Sequence, residues 1–206
     1  MADKSIVENR DYTIIIDKSD SMQTSDLADG KSRWEVAFES TLALAKKCDE
    51  IDPDGITVYL FSGNFRRYDN VTADKVTQIY EENEPMGPSN LAGVLQDALE
   101  NYFERKAKGE AKPNGETMLV ITDGTPYDRK AVMRLIIEAS QKIDRDEELG
   151  ISFIQVGKDK KATEYLKALD DQLQSAGAKF DIVDTVPMDK MGDMSLTDVL
   201  LNALID

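Results

Sequence analysis

The residues best equipped for chemistry lie near the amino terminus. Asp17, Ser19 and Ser21 fall within Asp17-Lys18-Ser19-Asp20-Ser21, directly behind the apolar run Tyr12-Thr13-Ile14-Ile15-Ile16. A β-branched strand that ends by delivering a carboxylate and two hydroxyls into one turn offers hard oxygen donors at high density. Such donors suit Mg²⁺, with Mn²⁺ or Ca²⁺ as substitutes, far better than covalent chemistry. Two further loops carry donors of the same kind. Asp123 follows an apolar run in Ile121-Thr122-Asp123-Gly124-Thr125, and Ser89 stands in Gly87-Pro88-Ser89-Asn90, just ahead of an amphipathic stretch. Taken singly, Asp123-Gly124 reads as a turn and Ser89 or Asn90 as a helix N-cap. Asp17 is harder to explain away, because a carboxylate at the end of an apolar strand needs a partner.

Other chemistries are excluded by composition. The chain has no histidine, so it holds no Ser-His-Asp triad, no Cys-His pair and no histidine-ligated zinc. What remains is carboxylate, metal and water. A formal charge of −15 argues against nucleic acid as a partner, since phosphate neutralisation needs basic clusters. No segment approaches the roughly eighteen consecutive apolar residues of a membrane span. Residues 1–10 are polar and lack the apolar core of a signal peptide. Cys48 has no second cysteine to pair with. These features together predict a cytoplasmic protein.

The elements that must position the donors alternate along the chain. Strands are expected at 12–17, 56–62, 65–70, 117–122, 151–156 and 180–186. The third follows the second after only Gly63-Asn64, a hairpin spacing that makes it an antiparallel edge strand. Between them, helical periodicity runs through Trp34, Ala37, Phe38, Thr41, Leu42, Ala45 and Cys48, and more weakly over 72–83. It is clearest in Leu91, Val94, Leu95, Ala98, Leu99, Tyr102 and Phe103, and it returns over 128–145 and 160–175. Ser195-Leu196-Thr197-Asp198 reads as a capping box opening a last helix. The pattern predicts a doubly wound α/β fold: a six-stranded, mostly parallel sheet, helices on both faces, and one antiparallel edge strand. It reads as a polar tail over 1–10 and a single domain over 11–206. Open sheets of this class bind ligands where the strand order reverses, at the carboxyl ends of strands. If the first and fourth strands are neighbours there, Asp17 and Asp123 stand side by side.

With its donors in this order, the chain resembles a von Willebrand factor A domain carrying a metal-ion-dependent adhesion site. That family's Asp-x-Ser-x-Ser, distant Thr and Asp-Gly read here as Asp17-x-Ser19-x-Ser21, Ser89 and Asp123-Gly124. The likeness covers nearly the whole chain and leans toward compact intracellular bacterial members, some of them associated with tellurium resistance. It implies that Ser19 and Ser21 ligate the metal through their hydroxyls and that Ser89 takes the threonine's role. Asp17 and Asp123 would act directly or through water. It further implies a position left for an Asp or Glu carboxylate of a partner protein, so that the metal is a contact point and not a catalyst. Two departures stand out: Ser89 lacks the methyl that restricts a threonine rotamer, and Asp20 replaces a common glycine. Asp20 is expected to point outward. The loops at 22–33, 62–64, 125–129 and 157–161 should rim the same face, with Arg129, Lys158, Lys160 and Lys161 as candidate helpers.

Two rival readings have different chemistry. A carboxylate phosphotransferase of Rossmann-like fold would use Asp17 as nucleophile, but Ser19 stands where such enzymes carry their second aspartate. A scaffold with a purely structural metal would keep the ligands without a partner.

Overall fold

The computed structural model describes residues 4–27, 30–51, 54–191 and 199. Six strands form one sheet: β1 (Asp11–Asp17), β2 (Ile56–Phe61), β3 (Phe65–Val71), β4 (Glu116–Thr122), β5 (Leu149–Gln155) and β6 (Val183–Pro187). Their order is β3-β2-β1-β4-β5-β6. All neighbours are parallel except β3, which pairs antiparallel with β2. The helices are α1 (Arg33–Ile51), α2 (Ala73–Glu81), α3 (Leu91–Lys108), α4 (Arg129–Lys142) and α5 (Lys160–Gln172), with a last described turn at Met188–Met191. This is the doubly wound arrangement expected, antiparallel edge included. The capping box at 195–198 and the helix placed after it lie outside the described residues; Val199 alone is described there, and it is buried.

Alternation along β1 explains how one strand serves two cores. Ile14 and Ile16 turn toward the layer holding Ala37, Leu44 and Cys48 of α1 and Val76 of α2. Ile15 turns the other way, among Leu95 and Leu99 of α3, Ile136 of α4 and Leu166 of α5. All three isoleucines are wholly buried, each contributing on the order of 1.5–3 kcal/mol by leaving water. A strand covered on both faces shows no polar alternation, which is why β1, β4 and β5 read as continuous apolar runs.

Helix starts are fixed by side chains that satisfy free backbone N–H groups. Asn90 accepts from Gly93 N, Asp128 from Ala131 N and Asp159 from Ala162 N. α2 lacks its own capping side chain; Asp49 of α1 reaches across to accept from Ala73 N at 2.9 Å. At the other end α3 stops at Gly109, whose φ of +73° closes the helix.

The amino-terminal ends of the strands carry a buried ionic network. Within the stretch read as a polar tail, Lys4–Val7 forms a 3-10 turn, and Val7 and Arg10 are buried. The Arg10 guanidinium donates to Thr117 Oγ1 at 2.7 Å and to the carbonyls of Asn114, Glu116 and Glu147. Burial lowers its pKa to about 10, with Tyr12, Tyr102 and Glu116 pulling the other way. Nearby, Glu116 accepts from Thr13 Oγ1 at 2.6 Å and is paired with Arg105. β6 begins at Val183, later than the periodicity suggested. The preceding residues have other ties: Lys179 Nζ donates to Ile143 O, and half-buried Phe180 packs against the core on that side of the sheet.

Candidate metal centre

β1 and β4 lie side by side at the reversal of strand order, so the loops leaving them open onto one face. Asp17 ends β1 and Asp123 follows β4; both are buried, at 0% and 1% exposure. Asp17 Oδ1 accepts from Ser19 N at 2.8 Å. Its Oδ2 accepts from Thr122 Oγ1 at 2.8 Å and from Ser89 Oγ at 3.1 Å. Ser21 Oγ donates to Asp123 Oδ1 at 2.9 Å and lies 3.2 Å from Ser19 Oγ. The five side chains singled out from the sequence thus share one hydrogen-bonded cluster, although 106 positions separate Asp17 from Asp123.

Local structure explains the convergence. The first loop tightens into a 3-10 turn at Asp20–Gln23, which keeps Ser19 and Ser21 together. The 85–89 loop is stitched to it: Met86 N donates to Lys18 O, Asp20 N to Gly87 O, Gly87 N to Asp20 Oδ1 and Gln23 Nε2 to Pro85 O. Asp20 is exposed and faces Gly87, so its outward orientation serves a purpose, bracing one donor loop against another. Asn90 takes the N-cap of α3 and leaves the Ser89 hydroxyl for Asp17. That division of labour settles the ambiguity between the two residues.

Two carboxylates this deep raise an electrostatic problem. Burial pushes the Asp17 carboxyl above the usual range and the nearby Asp123 charge adds to it, against hydrogen bonds from Ser19 and Thr122. Positive charge comes from Arg33, at the first position of α1. Its Nη1 donates to Asp123 Oδ2 at 2.8 Å, while Nε and Nη2 grip Asp26 at 3.0 and 2.6 Å. These bonds, to Asp26 above all, drive the guanidinium pKa upward, and Asp26 is lowered in return. Gly157 makes room for the arrangement, since a Cβ there would sit 3.0 Å from Arg33 Nε.

As a donor set, the cluster offers two carboxylates and three hydroxyls, all hard oxygens, which fits a small dication. Among the described residues no group of three or more His, Cys, Asp or Glu side chains could hold a metal. An ion here must therefore draw on the serines, as the sequence reading requires.

Sequence reasoning gave no role of their own to Arg33, Thr122, Met86 and Tyr127, although positions 33 and 127 fall in loops expected at the rim. The first two touch the carboxylates directly. Met86 and Tyr127 are 62% and 68% exposed on loops that bracket the cluster, beside Ser89 and after Asp123. Of the proposed basic helpers, Arg129 stacks on the Tyr165 ring and Lys158 faces Asp189 at 3.8 Å. An isolated Arg at a helix start gives no signal in one sequence; an apolar residue in a Gly-Pro-rich loop gives a weak one.

The model of the von Willebrand factor type A domain matches residues 12–125, a span holding all five donors. No curated protein matches the chain. Among solved structures, a mutant form of the PilB minor pilin from Streptococcus sanguinis superposes with a TM-score of 0.61 at 13% identity, over 94% of this chain and 63% of the pilin. The pilus adhesin SpaC from Lactobacillus rhamnosus GG gives 0.60 at 12% identity, over 95% of this chain and 31% of the adhesin. Manganese-loaded TRAP protein from Plasmodium vivax gives 0.58 at 12% identity, over 90% and 71%. The chain therefore spans less than two thirds of the two pilus proteins, and at these identities the likeness is one of fold.

Proposed function

Because the chain belongs to the von Willebrand factor type A domain family, we propose that it is a divalent-metal-dependent protein-interaction module. In this reading Asp17, Ser19, Ser21, Ser89 and Asp123 hold Mg²⁺, and the partner contributes an Asp or Glu carboxylate. The single observation that carries it is the hydrogen-bonded convergence of these five oxygen-bearing side chains at the sheet's reversal point. When bound, the ion supplies a Lewis-acidic corner for an anionic oxygen.

The chain's own residues do the rest. Thr122 and Ser89 hold the Asp17 carboxylate in one orientation. Ser21 does the same for Asp123, and the Asp20–Gly87 brace keeps the serine loops in register. An acidic partner approaching a protein of charge −15 meets repulsion, which a local dication offsets. The role proposed is binding, not catalysis. Exposed Met86 and Tyr127 extend the contact, favouring a partner carboxylate flanked by apolar groups. The chain is placed in the cytoplasm in this reading, with which its lone, buried Cys48 is compatible. Two structural neighbours are pilus proteins, so fractionation of the native host is the check on that assignment.

The test is a pull-down from host lysate in Mg²⁺ and in EDTA, with circular dichroism in parallel. Partner capture should vanish with chelation while the spectrum holds. Capture that persists in excess EDTA, or in Asp17→Ala, defeats the proposal.

A further inference from the structure

Arg33 does more than balance a buried charge. It sits at the junction of two carboxylates with different surroundings: Asp123, 1% exposed, and Asp26, whose side chain is 43% exposed on the loop above. The guanidinium reaches Asp26 through a bidentate pair and Asp123 through a single bond. It is itself largely enclosed, at 14% exposure. The free space at Gly157 lets it lie against the backbone after β5. Asp123 Oδ2, the oxygen not taken by Ser21, is the one it covers.

We infer that Arg33 is a resident counter-cation that competes with the divalent ion for Asp123, and that Asp26 sets how strongly it competes. This rests on the metal-binding reading above and adds to it the residues that fix the ion's affinity. A monovalent cation 2.8 Å from one prospective ligand opposes a dication at the same oxygen and screens the carboxylate's charge. Asp26 draws the guanidinium outward through its stronger, two-point grip. Weakening that grip leaves Asp123 as the guanidinium's remaining carboxylate among the described residues and tightens the competition. The two residues should therefore act on the ion in opposite directions, and Asp26 should act only through Arg33.

The experiment is calorimetric titration of MgCl₂ and of MnCl₂ into the whole chain and into Arg33→Met, Asp26→Asn and the double variant. Melting temperatures in EDTA and in saturating Mg²⁺ accompany each titration. Arg33→Met should bind Mg²⁺ about tenfold more tightly than the parent, and Asp26→Asn about fivefold more weakly. The double variant should match Arg33→Met, because Asp26, being exposed, exerts little direct pull through solvent. Arg33→Met should also melt lower in EDTA yet gain more from Mg²⁺ than the parent does. A weaker or unchanged affinity in Arg33→Met overturns the inference and leaves Arg33 a structural prop. A double variant that binds only about twofold more tightly than the parent, or no more tightly, overturns it too, since simple addition of the two effects would then suffice. Asp26→Asn changes an exposed loop residue and keeps the test decisive should Arg33→Met fail to fold: unchanged or tighter binding there refutes it. If the parent itself shows no Mg²⁺ or Mn²⁺ response that Asp17→Ala removes, the underlying metal reading fails, and the inference with it.

Discussion

Replacing Asp17 by asparagine should reverse the order of stability between two solutions. Asp17 is wholly buried, its carboxyl raised by desolvation and by Asp123. Adjacent strands lie about 4.8 Å apart, so the two carboxylates stand roughly 6 Å from one another. At an effective dielectric constant of about 20 their repulsion is at most about 3 kcal/mol, and desolvation of Asp17 is the larger of the two penalties. Arg33 on Asp123 and the hydroxyls of Thr122 and Ser89 on Asp17 offset part of this, leaving a net cost of about 1–2 kcal/mol. Asparagine keeps an oxygen for Ser19 N, and its amide can donate to hydroxyls that rotate to accept. The variant should therefore melt about 3–6 °C higher than the parent in EDTA. In Mg²⁺ at a hundred times the dissociation constant, the parent gains about 2.7 kcal/mol and the variant almost nothing, so the order inverts. Scanning calorimetry in the two buffers reads both arms. An Asp17→Asn protein that is less stable in both solutions, or a parent indifferent to Mg²⁺, would refute the reasoning.

Three other perturbations probe separate parts of the structure. Gly115→Ala should cost about 3 kcal/mol or more, because φ is +86° and the new Cβ would lie 1.8 Å from Glu148 O; urea denaturation measures it. Glu148 is opposed by burial, but hydrogen bonds from Lys106, Asp144 N and Tyr102 outweigh that and lower its pKa. Its stabilisation is therefore present above the unfolded carboxyl value near 4.3 and lost as pH falls through the depressed folded value; Glu148→Gln should flatten this part of a urea-midpoint profile between roughly pH 3 and 5. Met86→Ser and Tyr127→Ser should each weaken partner capture severalfold while leaving the Mg²⁺ titration unchanged, and an unaltered capture yield would show that these exposed side chains take no part.

The sheet was readable in the sequence because strands buried on both faces leave uninterrupted apolar runs, as in Ile14-Ile15-Ile16 and Met118-Leu119-Val120-Ile121. The five oxygen-bearing side chains that come together were readable because Asp17 and Asp123 stand where strands end, Ser89 stands ahead of a helix, and Ser19 and Ser21 lie in the turn behind the first strand. Arg33 and Asp26 were not, since a charged residue at a helix start and another in a polar loop look alike whether solvated or paired. The role of Asp20 needed the backbone N–H of Gly87, which no residue pattern discloses. The buried Arg10 was hidden for a related reason. Its acceptors are mainly carbonyl oxygens, and every residue carries one.

That guanidinium also bears on how the chain is made. On a ribosome β1 emerges before the strands it pairs with, yet the acceptors that receive Arg10 belong to residues 114, 116, 117 and 147. Until residue 117 clears the exit tunnel three of those acceptors are missing, and the fourth, Glu147 O, arrives thirty residues later. The centre of the sheet, where β1 lies against β4, therefore joins residues made early to residues made after the chain's midpoint, and the full set of Arg10 bonds is complete only once β5 begins.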